Sequence, residues 1–246
     1  MLFDRLTSDE AEAVLKESPV ALIALGAVEN HGNHLPLSTD NDLSEAIVQK
    51  VAAQLENVIV MPPIYYGQVW STSHYPGTIS VSSETLKGML VDIGRSLFHQ
   101  GVKIFAMINA HMGNLDVMKD AARQLHDELG MKVLYLTYPG IGEISAKVLE
   151  SERVHPTYFH ACELETSYML YLAPEKVDMT KAIRNYPELP LEFDVTPIPW
   201  HNVTDSPVLG DATLATREKG EAIIETAVGN MVQVIEQVRK HFYTEG

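Results

Sequence analysis

The sequence has 246 residues, of which 46% are hydrophobic and 21% charged, as is usual for a folded protein with a sizeable core. Lysine and arginine number 18 and aspartate and glutamate 33, so the formal net charge is −15, which argues against nucleic acid and anionic membranes as partners. A single cysteine, Cys162, excludes an internal disulfide, and no signal peptide or long apolar run is present. We therefore expect a cytoplasmic protein.

Strand-like and helix-like segments alternate along the first part of the chain. A capping box at residues 7–10 predicts a short helix, and the apolar run 20–25 predicts a buried strand. Residues 41–55 then repeat apolar side chains at helical spacing. Further strands are predicted over residues 58–61, 78–81, 103–108 and 131–137, and further helices before Gly101, before Gly130, over 168–172 and over 216–241.

The repeated order of strand, loop and helix predicts an α/β fold. Its central sheet should be mostly parallel and covered by helices on both faces. Residues 139–159 have no clear periodicity, and the five prolines in residues 185–210 indicate an ordered surface excursion. We find no repeat or linker, so we expect a single domain over residues 1–246.

The loop from Gly26 to Asp40 joins the first buried strand to the next helix. In open α/β sheets, ligands bind in loops at the carboxyl ends of strands. This loop contains Glu29, His31, His34 and Asp40, and carboxylates and imidazoles are ligands of divalent metals. Asp40 alone is more typical of a helix N-cap, and His34 of a hydrogen bond that orients the loop. The group as a whole indicates a metal site.

Two further groups extend the candidate site. His111 follows a buried strand at the same predicted sheet edge, although a lone histidine there is more often structural. Glu163 and Glu165 open a predicted helix about 200° apart around its axis, so only one can face the site. The other would stabilise the helix start against its dipole.

The combined set is larger than one open catalytic zinc site requires, since such a site usually takes three protein ligands. It suits two metals that share a bridging carboxylate, and such a pair favours hydrolysis by a bridging water. His160 would then remain free as a proton donor or acceptor. The candidate ligands are Glu29, His31, Asp40, His111 and one of Glu163 or Glu165.

With these motifs in order, the sequence resembles the creatininase (creatinine amidohydrolase) family from about residue 20 to residue 220. The combination of motifs is more specific than any one of them. The matching segments are Glu29-Asn30-His31-Gly32-Asn33-His34 with Asp40, Tyr66-Gly67, His74 to Thr78, Asn109 to Asn114, His160 to Ser167, Gly210-Asp211 and Ala215-Thr216.

The resemblance implies a three-layer αβα sandwich, two divalent ions per subunit (zinc, manganese or iron) and a homo-oligomer, often a hexamer. By motif, one ion is held by Glu29, Asp40 and His111, and the other by His31, the shared Asp40 and a further glutamate. Creatinine-cleaving members carry that glutamate two residues after the histidine that matches His111, where this sequence has a glycine.

A replacement for this glutamate must come from elsewhere in the chain. We expect Glu165 to be that ligand in preference to Glu163. His160 matches the catalytic histidine of the family, and Glu163 stays beside it as a catalytic candidate.

The expected substrate is a small molecule that contacts Trp70, Ser71, His74 and Met112, although a tryptophan such as Trp70 more often packs and His74 could equally anchor its loop. Creatinine is not expected, because residues 156–159 lack the tryptophan that covers its ring in the family and Met112 replaces a tyrosine. We expect hydrolysis of a C–N bond in an amide, cyclic amide or formamide. In this hypothesis hydroxide held by the metals attacks the carbonyl and His160 protonates the leaving group.

Two alternatives remain open. The same site could open the C–C ring of an oxidised inositol (a keto-inosose), as relatives in the family are thought to do. The chain could also be a non-catalytic binding relative that has lost a metal-binding side chain. Gly113 is the position at which such a side chain would be missing.

Overall fold

The structure is a computed structural model that describes residues 1–244. No helix within this range is both long enough and apolar enough to cross a membrane. The main elements are α1 (Ser8–Lys16), β1 (Val20–Leu25), α2 (Thr39–Ala52), β2 (Val58–Val60), α3 (Ser83–His99), β3 (Ile104–Asn109), α4 (Leu115–Leu129), β4 (Lys132–Leu136), α5 (Gly142–Val148), α6 (Glu163–Leu172) and α7 (Arg217–Thr244). Short strands β5 (Arg184–Asn185) and β6 (Gly210–Asp211) pair with each other in antiparallel fashion.

The central sheet has four parallel strands in the order β2-β1-β3-β4. All six residues of β1 are buried, as expected for a parallel strand covered on both faces. The register of β1 against β3 pairs Leu25 with Asn109. The loops that follow these two strands therefore leave the same edge of the sheet side by side.

The two faces of the sheet bury separate apolar clusters. On one face, Leu22 and its neighbours in β1 pack with apolar side chains of α2, α6 and α7. On the other face, Ile23 packs with apolar side chains of α3 and α4. The molecule is therefore a three-layer αβα sandwich with a mostly parallel central sheet, which confirms the expected fold class.

Three segments differ in detail from the sequence expectations. The strand expected over 78–81 is only a single antiparallel bridge between Val28 and Ile79, outside the central sheet. Residues 139–159, which the sequence left unassigned, contain the short helix α5. The excursion over 185–210 is ordered and carries a 3-10 turn at Trp200–Asn202, which brings a tryptophan back towards the sheet edge.

Candidate metal centre and its pocket

The candidate site lies at the carboxyl ends of β1 and β3, where two asparagines fix the backbone. The side chain of Asn109 accepts from the amide of His111 at 3.2 Å and donates to its carbonyl oxygen at 2.7 Å. Asn114 Nδ2 donates to the carbonyl oxygen of Gly26 at 3.0 Å, which joins the loops after β1 and β3. The motif after β3 therefore folds so that His111 faces the loop after β1.

All five residues expected to bind metal come together at this edge. The donor atoms of Glu29, Asp40 and His111 lie within 4.8 Å of one another, and so do those of His31, Asp40 and Glu165. These two triads share Asp40. Its carboxylate oxygens lie 3.4 Å from His31 Nε2 and 3.1 Å from His111 Nδ1.

His160 joins the same cluster. Its Nδ1 atom lies 3.9 Å from carboxylate oxygens of both Glu29 and Glu165, and its ring centroid is 4.2 Å from that of His31. The donor atoms of Glu29, His31 and His160 also lie within 4.8 Å of one another. By position, His160 is therefore adjacent to both triads.

Each of the three imidazoles is oriented through its second nitrogen by a backbone carbonyl. His31 Nδ1 lies 3.1 Å from the carbonyl oxygen of Glu29, His111 Nε2 lies 2.8 Å from that of Gln68, and His160 Nε2 lies 2.8 Å from that of Asn30. A carbonyl can only accept a hydrogen bond, so these nitrogens carry the protons in the neutral rings. The opposite nitrogen of each ring then presents its lone pair to the cluster, as metal-ligating histidines do.

The carboxylates of the cluster are buried, with relative exposures of 3% for Glu29, 1% for Asp40 and 4% for Glu165. Within residues 1–244 their ion-pair partners are histidines only. Buried negative charge in this density requires positive charge beside it, and bound cations commonly supply it.

The pKa values reflect this concentrated negative field. Burial acts to lower the pKa of His31, but the neighbouring carboxylates, Asp40 foremost, outweigh it and raise that pKa to about 10. Burial raises the pKa of Glu165 to about 7 against the opposing charge of His31. Burial lowers the pKa of His160 to about 4, which keeps its imidazole neutral. The carboxylates Glu29 and Asp40 also raise the pKa of His111 well above its usual value against the effect of burial, so the cluster attracts protons to His31 and His111 while His160 stays neutral.

Two buried atoms where the triads meet make no hydrogen bond among the described residues, and their only close contacts there are the ion pairs at 3.4 and 3.1 Å given above. They are Nε2 of His31 and Oδ2 of Asp40. A buried polar atom without a partner is costly, and its presence in a native structure commonly marks a place for an ion or a water. Imidazole nitrogen and carboxylate oxygen are also the donors that zinc, manganese and iron accept. These residues fit a divalent ion.

The two glutamates at the start of α6 have different surroundings. Glu165 turns back into the cluster, and its Oε2 also accepts from the amide of Ala161 at 2.6 Å. Glu163 is not brought to the cluster. Its buried carboxylate instead accepts from Lys219 Nζ at 2.5 Å and from the amide of Ser151 at 2.8 Å. The helix geometry that separates the two side chains thus directs Glu165, and not Glu163, to the candidate metal site.

A cavity of about 330 Å³ opens onto the cluster. Three of the four residues expected to contact substrate line it, namely Trp70, Ser71 and Met112. His74 is not among the lining residues; its ring stacks on that of His201 with centroids 4.0 Å apart. The lining set contains the acidic residues Glu29, Asp116 and Glu165 but no lysine or arginine. The residues that line it are Glu29, Gln68, Val69, Trp70, Ser71, His111, Met112, Gly113, Leu115, Asp116, Tyr158, Phe159, His160, Glu165 and Trp200.

The sequence did not predict that the aromatic side chains of Tyr158 and Trp200 line this cavity; we call this pair the aromatic roof. Trp200 meets the ring of His160 edge-on, with centroids 5.6 Å apart, and its amide donates to the carbonyl oxygen of Ser71 at 3.0 Å. Tyr158 is held by His155, whose ring stacks on it and accepts its amide hydrogen at 3.1 Å. His155 is tied in turn to Asp194 at 3.0 Å. No local pattern places Trp200, because its contacts with His160 and Ser71 join segments about 40 and about 130 positions apart in the chain.

Known proteins resemble this chain over most of its length. The family model for creatininase, described as creatinine amidohydrolase, matches residues 4–235. The creatinine amidohydrolase of Pseudomonas putida is 29% identical, with 94% of this chain and 95% of that protein covered. A mycofactocin precursor peptide peptidase of Mycobacterium tuberculosis is 31% identical, with 88% and 84% covered. The 3-dehydro-scyllo-inosose hydrolase of Thermotoga maritima is 26% identical, with 98% and 84% covered.

Solved structures give the same result. The structure named "Creatininase Mn" has a TM-score of 0.83 and 28% identity, and the match covers 96% of this chain and 97% of that chain. A mutant creatininase described as Zn-Zn type also has a TM-score of 0.83, with 29% identity and the same coverage. The names of these relatives include an amidohydrolase, a peptidase and an inosose hydrolase. The fold, the buried cluster and these matches together assign the chain to the creatininase family of metal-binding hydrolases.

Proposed function

We propose that the chain binds two divalent ions, of zinc, manganese or iron, and uses them to hydrolyse a C–N bond. Glu29, Asp40 and His111 would hold one ion, and His31, the shared Asp40 and Glu165 the other. The observation that carries the proposal is the pair of buried donor triads that meet at Asp40. The metal names of the two matching creatininase structures agree with this donor set.

When bound, such ions lower the pKa of water towards neutrality and polarise a carbonyl oxygen. The protein side chains provide the proton transfer and the positioning. His160 is neutral and presents Nδ1 to the cavity, so it can accept a proton and deliver it to a leaving nitrogen. Thr72 donates a hydrogen bond to Oε1 of Glu29, which leaves the other oxygen of this carboxylate directed at His111.

The substrate that this cavity suits best is a small, neutral amide, either cyclic or linear. The lining offers aromatic faces and contains no lysine or arginine, so the protein side chains supply no fixed positive charge for a phosphorylated or carboxylate substrate. Trp200 could cover a flat substrate as a tryptophan does in creatinine-cleaving relatives, but it comes from a different segment. Creatinine itself is not the expected substrate, because residues 156–159 contain no tryptophan and Met112 lines the cavity. The peptidase relative favours a linear amide as the first alternative within the same chemistry.

A second candidate is ring opening of a keto-inosose by C–C cleavage at the same site. The inosose hydrolase relative, which covers 98% of this chain, favours it. A non-catalytic binding role has less support, because Glu165 completes the second triad and Gly113 leaves no gap in the donor set.

We also propose that residues 1–246 form one catalytic domain that works in the cytoplasm as a homo-oligomer, with a hexamer as one possibility. The single cysteine suits a reducing compartment, and the homo-oligomer is what the family resemblance implies.

Metal loading followed by a substrate panel tests the proposal. The protein is loaded with zinc or manganese and offered cyclic amides, short peptides, formamides and keto-inositols. His111→Ala should lose both bound metal and turnover, whereas His126→Ala, on the exposed face of α4, should retain both. Full metal content and full turnover in His111→Ala would refute the metal site. Conversion of a keto-inositol into an open-chain acid, with no C–N cleavage of any amide in the panel, would select the second candidate.

A further inference from the structure

Gln68 is fixed at the metal pocket through its backbone alone. Its amide donates to Oδ1 of Asn114 at 3.0 Å, and its carbonyl oxygen accepts from His111 Nε2 at 2.8 Å. Both contacts use main-chain atoms, so the side chain can be changed without removing either of them. The residue is half-buried and lines the same cavity as the candidate metal ligands.

The side chain of Gln68 is directed towards Gly113. A methyl group added at Gly113 would lie 2.2 Å from the carbonyl oxygen of Gln68 and 3.2 Å from its side-chain oxygen Oε1. The absence of a side chain at Gly113 therefore creates the space that Gln68 fills. Because Gly113 also lines the cavity, Oε1 of Gln68 sits at the cavity wall next to His111.

The carboxamide of Gln68 has no hydrogen-bond partner in the part of the chain that the structure describes; the two bonds of this residue come from its backbone. A primary carboxamide presents one donor and one acceptor on the same edge. It therefore matches a neutral group that presents the same pair in reverse, and it offers no charge to an acid or a base.

We infer that Gln68 is a specificity-determining residue that binds the amide edge of the substrate through its side-chain carboxamide. A cyclic amide is the best partner, because its N–H and carbonyl oxygen lie on one side of the bond and can pair with the carboxamide at two points. This inference rests on the proposed amide hydrolysis for its substrate class. It adds the residue that selects a neutral amide over a charged one.

Binding of 2-pyrrolidinone, a small neutral cyclic amide, to the metal-loaded protein tests the inference. Calorimetry should give a Kd for Gln68→Leu that is weaker than for the wild type by about fivefold or more, as expected for one or two lost hydrogen bonds. Gln68→Glu keeps the size but loses the donor and should weaken binding as well. Gln54→Leu, an exposed matched control on the surface, should bind as the wild type does.

Metal content and thermal unfolding are measured for every variant, because a structural role of the side chain would change them. Both should be unchanged in Gln68→Leu, since its contacts with Asn114 and His111 are made by the backbone. Equal affinity in Gln68→Leu and wild type, or no binding to the wild type, would overturn the inference. If binding of 2-pyrrolidinone depends on Gln68 but the wild type cleaves no amide, the proposed function fails, and of the inference only the binding of an amide by Gln68 stands.

Discussion

The exchange Gly113→Ala should weaken metal binding although Gly113 donates no ligand. The new methyl group would lie 2.2 Å from the carbonyl oxygen of Gln68 and 2.5 Å from Nε2 of His111. Non-bonded heavy atoms in contact are roughly 3.5 Å apart, so the loop must move by about 1 Å. That movement would break the 2.8 Å hydrogen bond between Gln68 and His111, and the imidazole would lose its fixed orientation. Loss of such an orienting partner typically reduces metal affinity by about 10–100-fold, or about 1.4–2.8 kcal/mol.

Zinc titration in competition with a chelator measures this effect. Gly88→Ala is a suitable control, because Gly88 lies on the exposed face of α3 and a methyl group there would meet no atom within 4 Å. Thermal unfolding of both variants separates a local loss of metal affinity from a general loss of stability. If Gly113→Ala binds zinc as tightly as Gly88→Ala and the wild type, the orientation of His111 by Gln68 does not matter for the site.

Three further results are expected. Metal affinity should rise with pH by up to about tenfold per pH unit for each proton that is released. The reason is that His31, whose pKa is raised to about 10, must lose its proton when the metal binds. Competition titrations at pH 6, 7 and 8 measure this dependence, and an affinity that does not change with pH would contradict it. Lys219→Met should lower the free energy of unfolding by about 3 kcal/mol in chemical denaturation, because it leaves the buried carboxylate of Glu163 with only backbone partners. Lys119→Met removes an exposed ion pair and should change the free energy of unfolding little. Trp200→Ala should raise the KM for the substrate, because it removes an aromatic side chain that lines the cavity, while the metal content stays constant. An unchanged KM would show that Trp200 does not contact the substrate.

The central layers of the fold could be predicted from the sequence because buried strands and amphipathic helices have distinct patterns. The six buried residues of β1 are such a case. The prediction of a strand over residues 78–81 was wrong, because a short β-prone segment forms a strand only where it can pair along a free sheet edge, and this segment makes a single bridge. Ile79 instead lies over the loop after β1 and is 51% exposed.

The candidate metal ligands could be predicted as a group because parallel strands bring the loops that follow them to one edge. The choice between Glu163 and Glu165 needed the direction of α6 at its start. That direction is set by the backbone of Ala161, which has a positive φ of 47° and donates to Glu165. Trp200 and Gln68 could not be found from local patterns, because distant segments and backbone hydrogen bonds place them.

Anomalous scattering from crystals of the manganese-loaded protein tests the central claim most directly. We predict two peaks, one beside Glu29 and His111 and the other beside His31 and Glu165, with the carboxylate of Asp40 between them. A single peak at full metal loading, or peaks remote from Asp40, would contradict the proposed dinuclear centre.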